Sequence, residues 1–126
     1  MQEQLYEFAV IRVVPKVERE EFVNAGIILY CKRRKFLKAV CRLSESKLRA
    51  FCSETDAEQV LANLSSLEKI ACADKNSGPI GQMEIAERFR WLTAVRSTVI
   101  QTSRPHPGFT QDPEATLQRL LSDLVL

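Results

Sequence analysis

The sequence of 126 residues contains few of the residues that build metal centres or disulfide frameworks. It has 4 Cys and 1 His, and no two of the cysteines have the CxxC spacing that closed zinc sites use. Cys31 and Cys41 fall within apolar runs, where a free thiol packs like a small hydrophobic side chain. We therefore expect reduced, mostly buried cysteines, no disulfides and no metal site.

Long apolar stretches are also missing. No run approaches the roughly 20 residues that a membrane-spanning helix needs, and residues 1–7 carry acids where a secretory signal would carry lysine or arginine. Gly78 and Gly81 are not followed by the Lys-Ser/Thr of a phosphate-binding loop. The sequence predicts a cytoplasmic protein with no membrane contact and no bound cofactor.

Glycine and proline are too scarce for a disordered chain. With 4 Gly, 5 Pro, 45% hydrophobic and 27% charged residues, the composition is typical of a soluble globular protein. The length is close to the common size of one domain. We expect a single domain over residues 1–126.

Three segments in the first half of the chain predict β-strands. Residues 5–14 and 25–31 are rich in β-branched and aromatic residues at both parities, which is typical of strands covered on both faces. Residues 36–43 alternate apolar with basic side chains, as a strand buried on one face does. Residues 32–35 then form the turn of a hairpin.

The rest of the chain predicts four helices and one more strand. Ser44 caps a helix that extends to residue 52, and a capping box precedes an amphipathic helix over 56–71. Residues 76–81 have the composition of a loop, and residues 82–92 return to helical spacing.

Residues 97–103 are β-branched at four of seven positions, so they predict a fourth strand, which the Arg-Pro-His-Pro-Gly stretch after it must break. Asp112 caps a closing helix. The order βββαααβα predicts an α+β fold, a mainly antiparallel four-stranded sheet with helices packed on one face.

Two long segments carry a resemblance to a known family. Residues 14–31 read VPKVEREEFVNAGIILYC, and residues 87–103 read ERFRWLTAVRSTVIQTS. On these segments the chain resembles the bacterial DUF3037 family over nearly its whole length, from Tyr6 to the last helix. No activity or catalytic residue is assigned to that family. Its members are often encoded beside a HipA-like protein kinase, so the resemblance implies an accessory or partner role.

Positive charge is concentrated in the first part of the chain. Residues 1–53 carry 11 Lys and Arg against 6 Asp and Glu, whereas residues 54–126 carry 7 against 10. Four basic residues are consecutive: Lys32, Arg33, Arg34 and Lys35. Such a run can contact nucleic acid. Because no aromatic residue lies among them to stack on bases, and because the acidic second half would repel phosphate, a solvated hairpin turn is the favoured interpretation.

Residues 88–106 bring together arginine, hydroxyl and amide side chains. The candidate anion- or ligand-binding residues are Arg90, Arg96, Ser97, Gln101, Arg104 and His106. Arginine binds phosphate or carboxylate through paired hydrogen bonds. Ser97, Gln101 and Ser103 share one parity of the predicted strand. The alternative, which we favour, is an edge strand whose polar face and flanking arginines prevent aggregation. Trp91 is assigned to the core.

Two further candidates are weaker. Glu18, Glu20 and Glu21, with Asn24 nearby, could hold a divalent metal or exchange protons, but the basic residues among them favour a solvated turn. His106, the single histidine, could act as a general base. No nucleophile stands at a triad spacing from it, so an exposed loop histidine is favoured.

The sequence leaves three functions open. The first is a non-enzymatic accessory or interaction protein, whose partner is a HipA-like kinase, as the resemblance implies, or another protein. The second is a small enzyme or a nucleotide- or phosphate-binding protein that uses the cluster at 88–106. The third and weakest is nucleic-acid binding through residues 32–35. A non-enzymatic role is favoured, and no catalytic residue is assigned.

Overall fold

Strands and helices alternate in blocks along the chain. The computed structural model describes residues 2–15, 19, 21–51, 57–94 and 98–126. The strands are β1 (Gln4–Val13), β2 (Val23–Cys31), β3 (Phe36–Cys41), β4 (Ile100–Thr102) and β5 (His106–Thr110). The helices are α1 (Glu45–Phe51), α2 (Ala57–Ala71), α3 (Gly78–Gly81), α4 (Ile85–Leu92) and α5 (Pro113–Leu124). No helix within these described residues has the length and apolar content to cross a bilayer.

The first three strands form the antiparallel arrangement that the sequence predicts. β1 pairs with β2, and β2 pairs with β3 so that Ile27 lies opposite Val40 and Leu29 opposite Lys38. Ile27 and Leu29 are fully buried. This confirms the predicted pairing of the second strand with residues 36–43 and the predicted burial of Ile27 and Leu29.

The basic residues 32–35 form the predicted turn between β2 and β3. The N–H of Lys35 donates to the carbonyl of Lys32 at 3.1 Å, and Lys35 adopts a positive φ of 51°. At the other end of this hairpin, Gly26 lies opposite Cys41, so close that a Cβ on Gly26 would stand 2.5 Å from the carbonyl oxygen of Val40. The hairpin therefore requires glycine at that position.

The sheet has five strands, not the predicted four. Its order is β3–β2–β1–β4, and β5 also pairs with β1, on the same side as β4. The predicted break after the fourth strand is confirmed, since β4 ends at Thr102, but the break is shorter than residues 104–108 because His106–Thr110 returns to the sheet as β5. Pro107 is accommodated there because β5 lies at an edge, where a missing N–H costs no ladder hydrogen bond. The element order becomes βββααααββα.

Helices cover both faces of the sheet, so the predicted packing on one face is also wrong. On one face, α1, α2 and α4 pack on the sheet through a core that includes Leu48, Leu64, Phe89, Ile11, Ile28 and Ala39. On the other face, α5 packs through Leu117 and Leu121 on a second core that includes Val10, Ile27, Leu29 and Val40. The alternation of Lys38 and Arg42 in the third strand predicts one-face burial, but Val40 between them is buried against α5.

Helix starts follow the predicted caps where the structure describes them. Ser44 Oγ accepts the N–H of Lys47 at 3.1 Å, and Asp112 Oδ1 accepts the N–H of Ala115 at 3.2 Å. The capping box before α2 lies outside the described residues, as does the predicted end of the first helix at Cys52. The predicted loop over 76–81 contains the one-turn helix α3, and the helix predicted from residue 82 begins at Ile85.

Candidate functional site at the β4–β5 edge

The segment that contains β4 and β5 runs antiparallel along the outer side of β1 as one bent edge. The N–H of Ser103 donates to the carbonyl of Val10 at 2.9 Å, and His106 lies opposite Phe8. Residues 104–105 therefore face a single residue of β1. This is a β-bulge, an arrangement that bends an edge and ends its regular pairing.

Ser103 fastens the bulge to β1. Its Oγ accepts the N–H of Val10 at 2.9 Å and donates to the carbonyl of Arg104 at 3.0 Å. Ser103 is buried, so the hydroxyl takes the place of the backbone acceptor that a regular ladder would supply. This serine, which the sequence places on the polar parity of the cluster, has a structural role.

The structure describes four of the six predicted ligand residues. Arg90 is exposed on α4, Gln101 lies in β4, Arg104 is exposed in the bulge, and His106 is exposed at the start of β5. Arg96 and Ser97 lie outside the described residues. No hydrogen bond or ion pair joins any two of the four described residues. The anion site that the sequence predicts here remains a prediction.

His106 belongs to the α5 side of the sheet, where its β1 partner Phe8 packs. Gln101 lies opposite Arg12 and donates from Nε2 to the carbonyl of Thr98 at 2.8 Å. The His106 ring lies 5.4 Å from that of Phe8, centroid to centroid. Arg90 belongs to α4, which packs on the opposite face. The four residues thus share one edge of the fold but lie on different sides of it.

A groove of about 390 Å³ lies beside β4 on the face covered by α2 and α4. It is lined by Asn63, Leu67, Trp91, Leu92, Thr98, Val99, Ile100, Gln101 and Thr102. Trp91, which the sequence assigns to the core, is 36% exposed, and Val99 is 37% exposed. The described lining residues are therefore apolar or neutral, and none of them is charged.

The basic turn is partly engaged by the rest of the protein. Its four residues are exposed, but Arg34 Nη2 donates to the carbonyl of Gln111 at 2.7 Å. A second pocket of about 450 Å³ beside the turn is lined by Lys32 and Arg33 and also by Glu3 and Glu7. Carboxylates next to the cations weaken the attraction of this surface for phosphate.

The carboxylate candidate after β1 is only partly described. Glu18 and Glu20 lie outside the described residues. Glu21 pairs with Arg19 at 2.6 Å between Oε1 and Nε, and Asn24 Nδ2 donates to the carbonyl of Leu124 at 3.0 Å. Within the described part of the chain, no three His, Cys, Asp or Glu side chains lie close enough to hold a metal ion.

The described cysteines are free thiols, and they are less buried than the sequence predicts. Cys31 is buried, Cys41 is half-buried and Cys72 is exposed, and Cys52 lies outside the described residues. Burial, with a smaller contribution from the charge of Glu68, raises the pKa of Cys41 from 9.0 to about 12, against an opposing effect of Arg42. The Cys41 thiol is therefore uncharged at neutral pH and a poor nucleophile.

Sequence reasoning did not single out two exposed apolar residues of this edge. The sequence predicts Val99 only as part of a strand, and Phe109 lies beyond the predicted end of that strand. Phe109 is 68% exposed and lies opposite Leu5 of β1, which is also exposed. Their exposure could have been inferred from their position between polar residues. The segment is rich in proline and arginine, so few apolar neighbours are present to cover them.

Comparison with family models identifies the family of the chain. A family model described as "Protein of unknown function (DUF3037)" matches residues 8–125. No curated protein and no solved structure matches the chain.

Proposed function

We propose that this chain, which belongs to the DUF3037 family of proteins of unknown function, is an interaction protein that binds a partner protein in the groove between α4 and β4. The single observation that carries the proposal is the pair of partly exposed apolar side chains, Trp91 and Val99, in a groove of about 390 Å³. Aromatic side chains at the centre of an apolar patch are typical anchors of protein interfaces.

The lining favours binding over catalysis. General acid–base or nucleophilic chemistry needs a titratable or activated side chain beside the substrate. The described residues of the groove offer threonine hydroxyls, the amides of Asn63 and Gln101, and apolar surface. Burial also keeps the Cys41 thiol in its uncharged form by raising its pKa.

The resemblance supplies a candidate partner. Members of the family are often encoded beside a HipA-like kinase, and a small accessory protein bound to that kinase in the bacterial cytoplasm is the simplest form of the proposal. The support for this partner is the gene neighbourhood of the family, and the support for the binding surface is the groove.

The test is co-purification from the native host with matched variants. Val99→Glu places a charge in the groove and leaves the backbone carbonyl that accepts from Val14 in place. Leu126→Glu makes the same kind of change at an exposed apolar residue outside the groove. We expect the partner to co-purify with wild type and with Leu126→Glu, and to be lost with Val99→Glu. Direct binding between the purified proteins should then show the same pattern.

Thermal unfolding of each variant checks that the fold is intact. A partner retained equally by all three proteins would refute the groove as the binding surface. A stoichiometric kinase among the bound proteins would identify the partner, and a different protein would replace the kinase without affecting the role of the groove.

The second candidate is an anion site, because the edge residues after α4 carry arginines and no carboxylate. If Arg90 and Arg104 hold phosphate or a nucleotide together with Arg96, the ligand stabilises the fold by about 2.7 kcal/mol at a hundredfold excess over its dissociation constant. Thermal melts with phosphate, sulfate and nucleotides test this. The ligand should raise the Tm of wild type but not that of Arg104→Ala. A flat response across these anions eliminates the anion site.

A further inference from the structure

The chain segment that contributes the second half of α4 and β4 to the groove contains no acidic residue. Residues 88–111 carry four arginines and one histidine, and no Asp or Glu. Glu87 immediately precedes this segment and Asp112 immediately follows it. The two elements that form the outer walls of the groove, the second half of α4 and β4, both lie within it.

Two of the described arginines are available to a partner. Arg88 is engaged internally, since its Nη1 donates to the carbonyl of Met83 at 2.7 Å and its Nη2 to that of Ala71 at 3.5 Å. Arg90, next to Trp91 on α4, and Arg104, in the bulge after β4, are exposed. Neither arginine lines the groove itself, but one lies on α4 and the other lies two residues beyond the end of β4. A partner that fills the groove and extends past it therefore meets positive charge at both ends of this segment, which favours negative charge on the partner.

The backbone edge beside the groove is poorly suited to pairing with an added strand. Val10 and Val14 bond toward β4, so by the alternation of an antiparallel ladder the backbone groups of Ile100 and Thr102 point outward. The carbonyl of Ile100 already accepts from Thr98 Oγ1 at 2.7 Å. Beyond Thr102, the bulge at residues 104–105 bends the edge away from a regular strand.

The same alternation places the backbone groups of Pro107 on the outer side of β5. Proline has no N–H to donate. An extended partner segment would thus find an interrupted series of donors and acceptors from β4 to β5. A helix, in contrast, satisfies its own backbone and binds through side chains alone.

We infer that the groove receives an acidic amphipathic helix of the partner protein, with an apolar side chain against Trp91 and Val99 and carboxylates facing Arg90 and Arg104. The inference rests on the proposed function and names the chemistry of its partner.

The test uses the intrinsic fluorescence of Trp91, which is the only tryptophan in the chain. The probes are synthetic amphipathic helical peptides without aromatic residues, built from leucine at three- and four-residue steps with glutamate at the other positions. A matched set replaces every glutamate by lysine. Burial of the indole by a bound peptide shifts its emission to shorter wavelength and protects it from acrylamide quenching.

We expect the glutamate peptides to produce this shift, with an affinity that falls as salt is added. Arg90→Ser and Arg104→Ser should each weaken binding by about two- to five-fold, as exposed charge pairs do. Glu87→Gln removes the carboxylate one helical turn before Trp91 and should leave binding equal or tighter. Arg119→Ser, an exposed arginine of α5, is the matched control and should have no effect.

The outcomes separate this inference from the proposed function. Equal binding of lysine and glutamate peptides, or no change in Trp91 emission with any glutamate peptide, overturns the acidic helix. If the partner found by co-purification still depends on Val99, the proposed function stands and only the inferred partner chemistry falls. If co-purification of the partner does not depend on Val99 and no glutamate peptide changes the Trp91 emission, the groove is not an interface.

Discussion

Replacing Ser103 by alanine tests how the bent edge is held to the sheet. The Ser103 hydroxyl accepts the N–H of Val10, which lies in the middle of β1 and is buried. Alanine leaves that N–H without an acceptor, and an unsatisfied buried donor costs about 1–3 kcal/mol. For a chain of this size, this corresponds to a fall in Tm of roughly 4–12 °C.

The matched control is Ser66→Ala. Ser66 is exposed on α2 and its Oγ donates to the carbonyl of Ala62 at 3.2 Å, within one turn of the same helix. Loss of such a local bond changes stability by no more than about 0.5 kcal/mol. Urea denaturation gives the two free energies of unfolding, and amide hydrogen exchange at Val10 reports the lost bond directly. Equal stabilities for the two variants, with unchanged exchange at Val10, would refute this account of the bulge.

Two further predictions concern packing and titration. In urea denaturation, Gly26→Ala should destabilise the protein by about 3 kcal/mol or more, because the added Cβ meets the Val40 carbonyl oxygen at 2.5 Å. Gly108→Ala should cost only about 1–2 kcal/mol, because its Cβ meets the Tyr6 ring at 2.6 Å and that ring can rotate away. A larger loss for Gly108→Ala than for Gly26→Ala would contradict this reasoning. Since folding raises the pKa of Cys41 from 9.0 to about 12, its contribution to stability is complete below pH 9 and is lost as pH rises from 9 to 12. Cys41→Ala should therefore lose less stability than wild type over that range, and identical pH profiles would exclude the effect.

The parts of the fold that the sequence predicts well depend on local signals. The turn at residues 32–35 lies between two apolar segments of similar length, which leaves one register that buries both. Ser44 and Asp112 are predicted as caps because their side chains act within the next turn of the chain. The second layer of helices was missed because burial of both faces in β3 depends on Val40 meeting α5, which lies far away in the sequence.

β5 could not be predicted from its composition. Its sequence, HPGFT, combines proline and glycine, which disfavour strands. Gly108 fits there because the Tyr6 ring of the neighbouring strand lies against it, closer than any Cβ would allow. An aromatic side chain that covers an edge glycine stabilises the pair from the partner strand, so the signal for β5 lies in β1 and not in the segment itself.

The sequence offers two interpretations of the 88–106 cluster, a binding site and a protected edge. They are compatible because edge protection concerns backbone groups, whereas binding concerns side chains. The bulge at residues 104–105, the proline at 107 and the charge of Arg104 limit backbone pairing along the edge, as protective devices do. They leave uncovered the apolar side chains that line the neighbouring groove. In the function we propose, a protein partner that cannot extend the sheet is directed to Trp91 and Val99. In the acidic-helix inference, the same arginine that discourages strand addition selects for negative charge in that partner. Edge protection therefore supplies part of the specificity of the proposed interface.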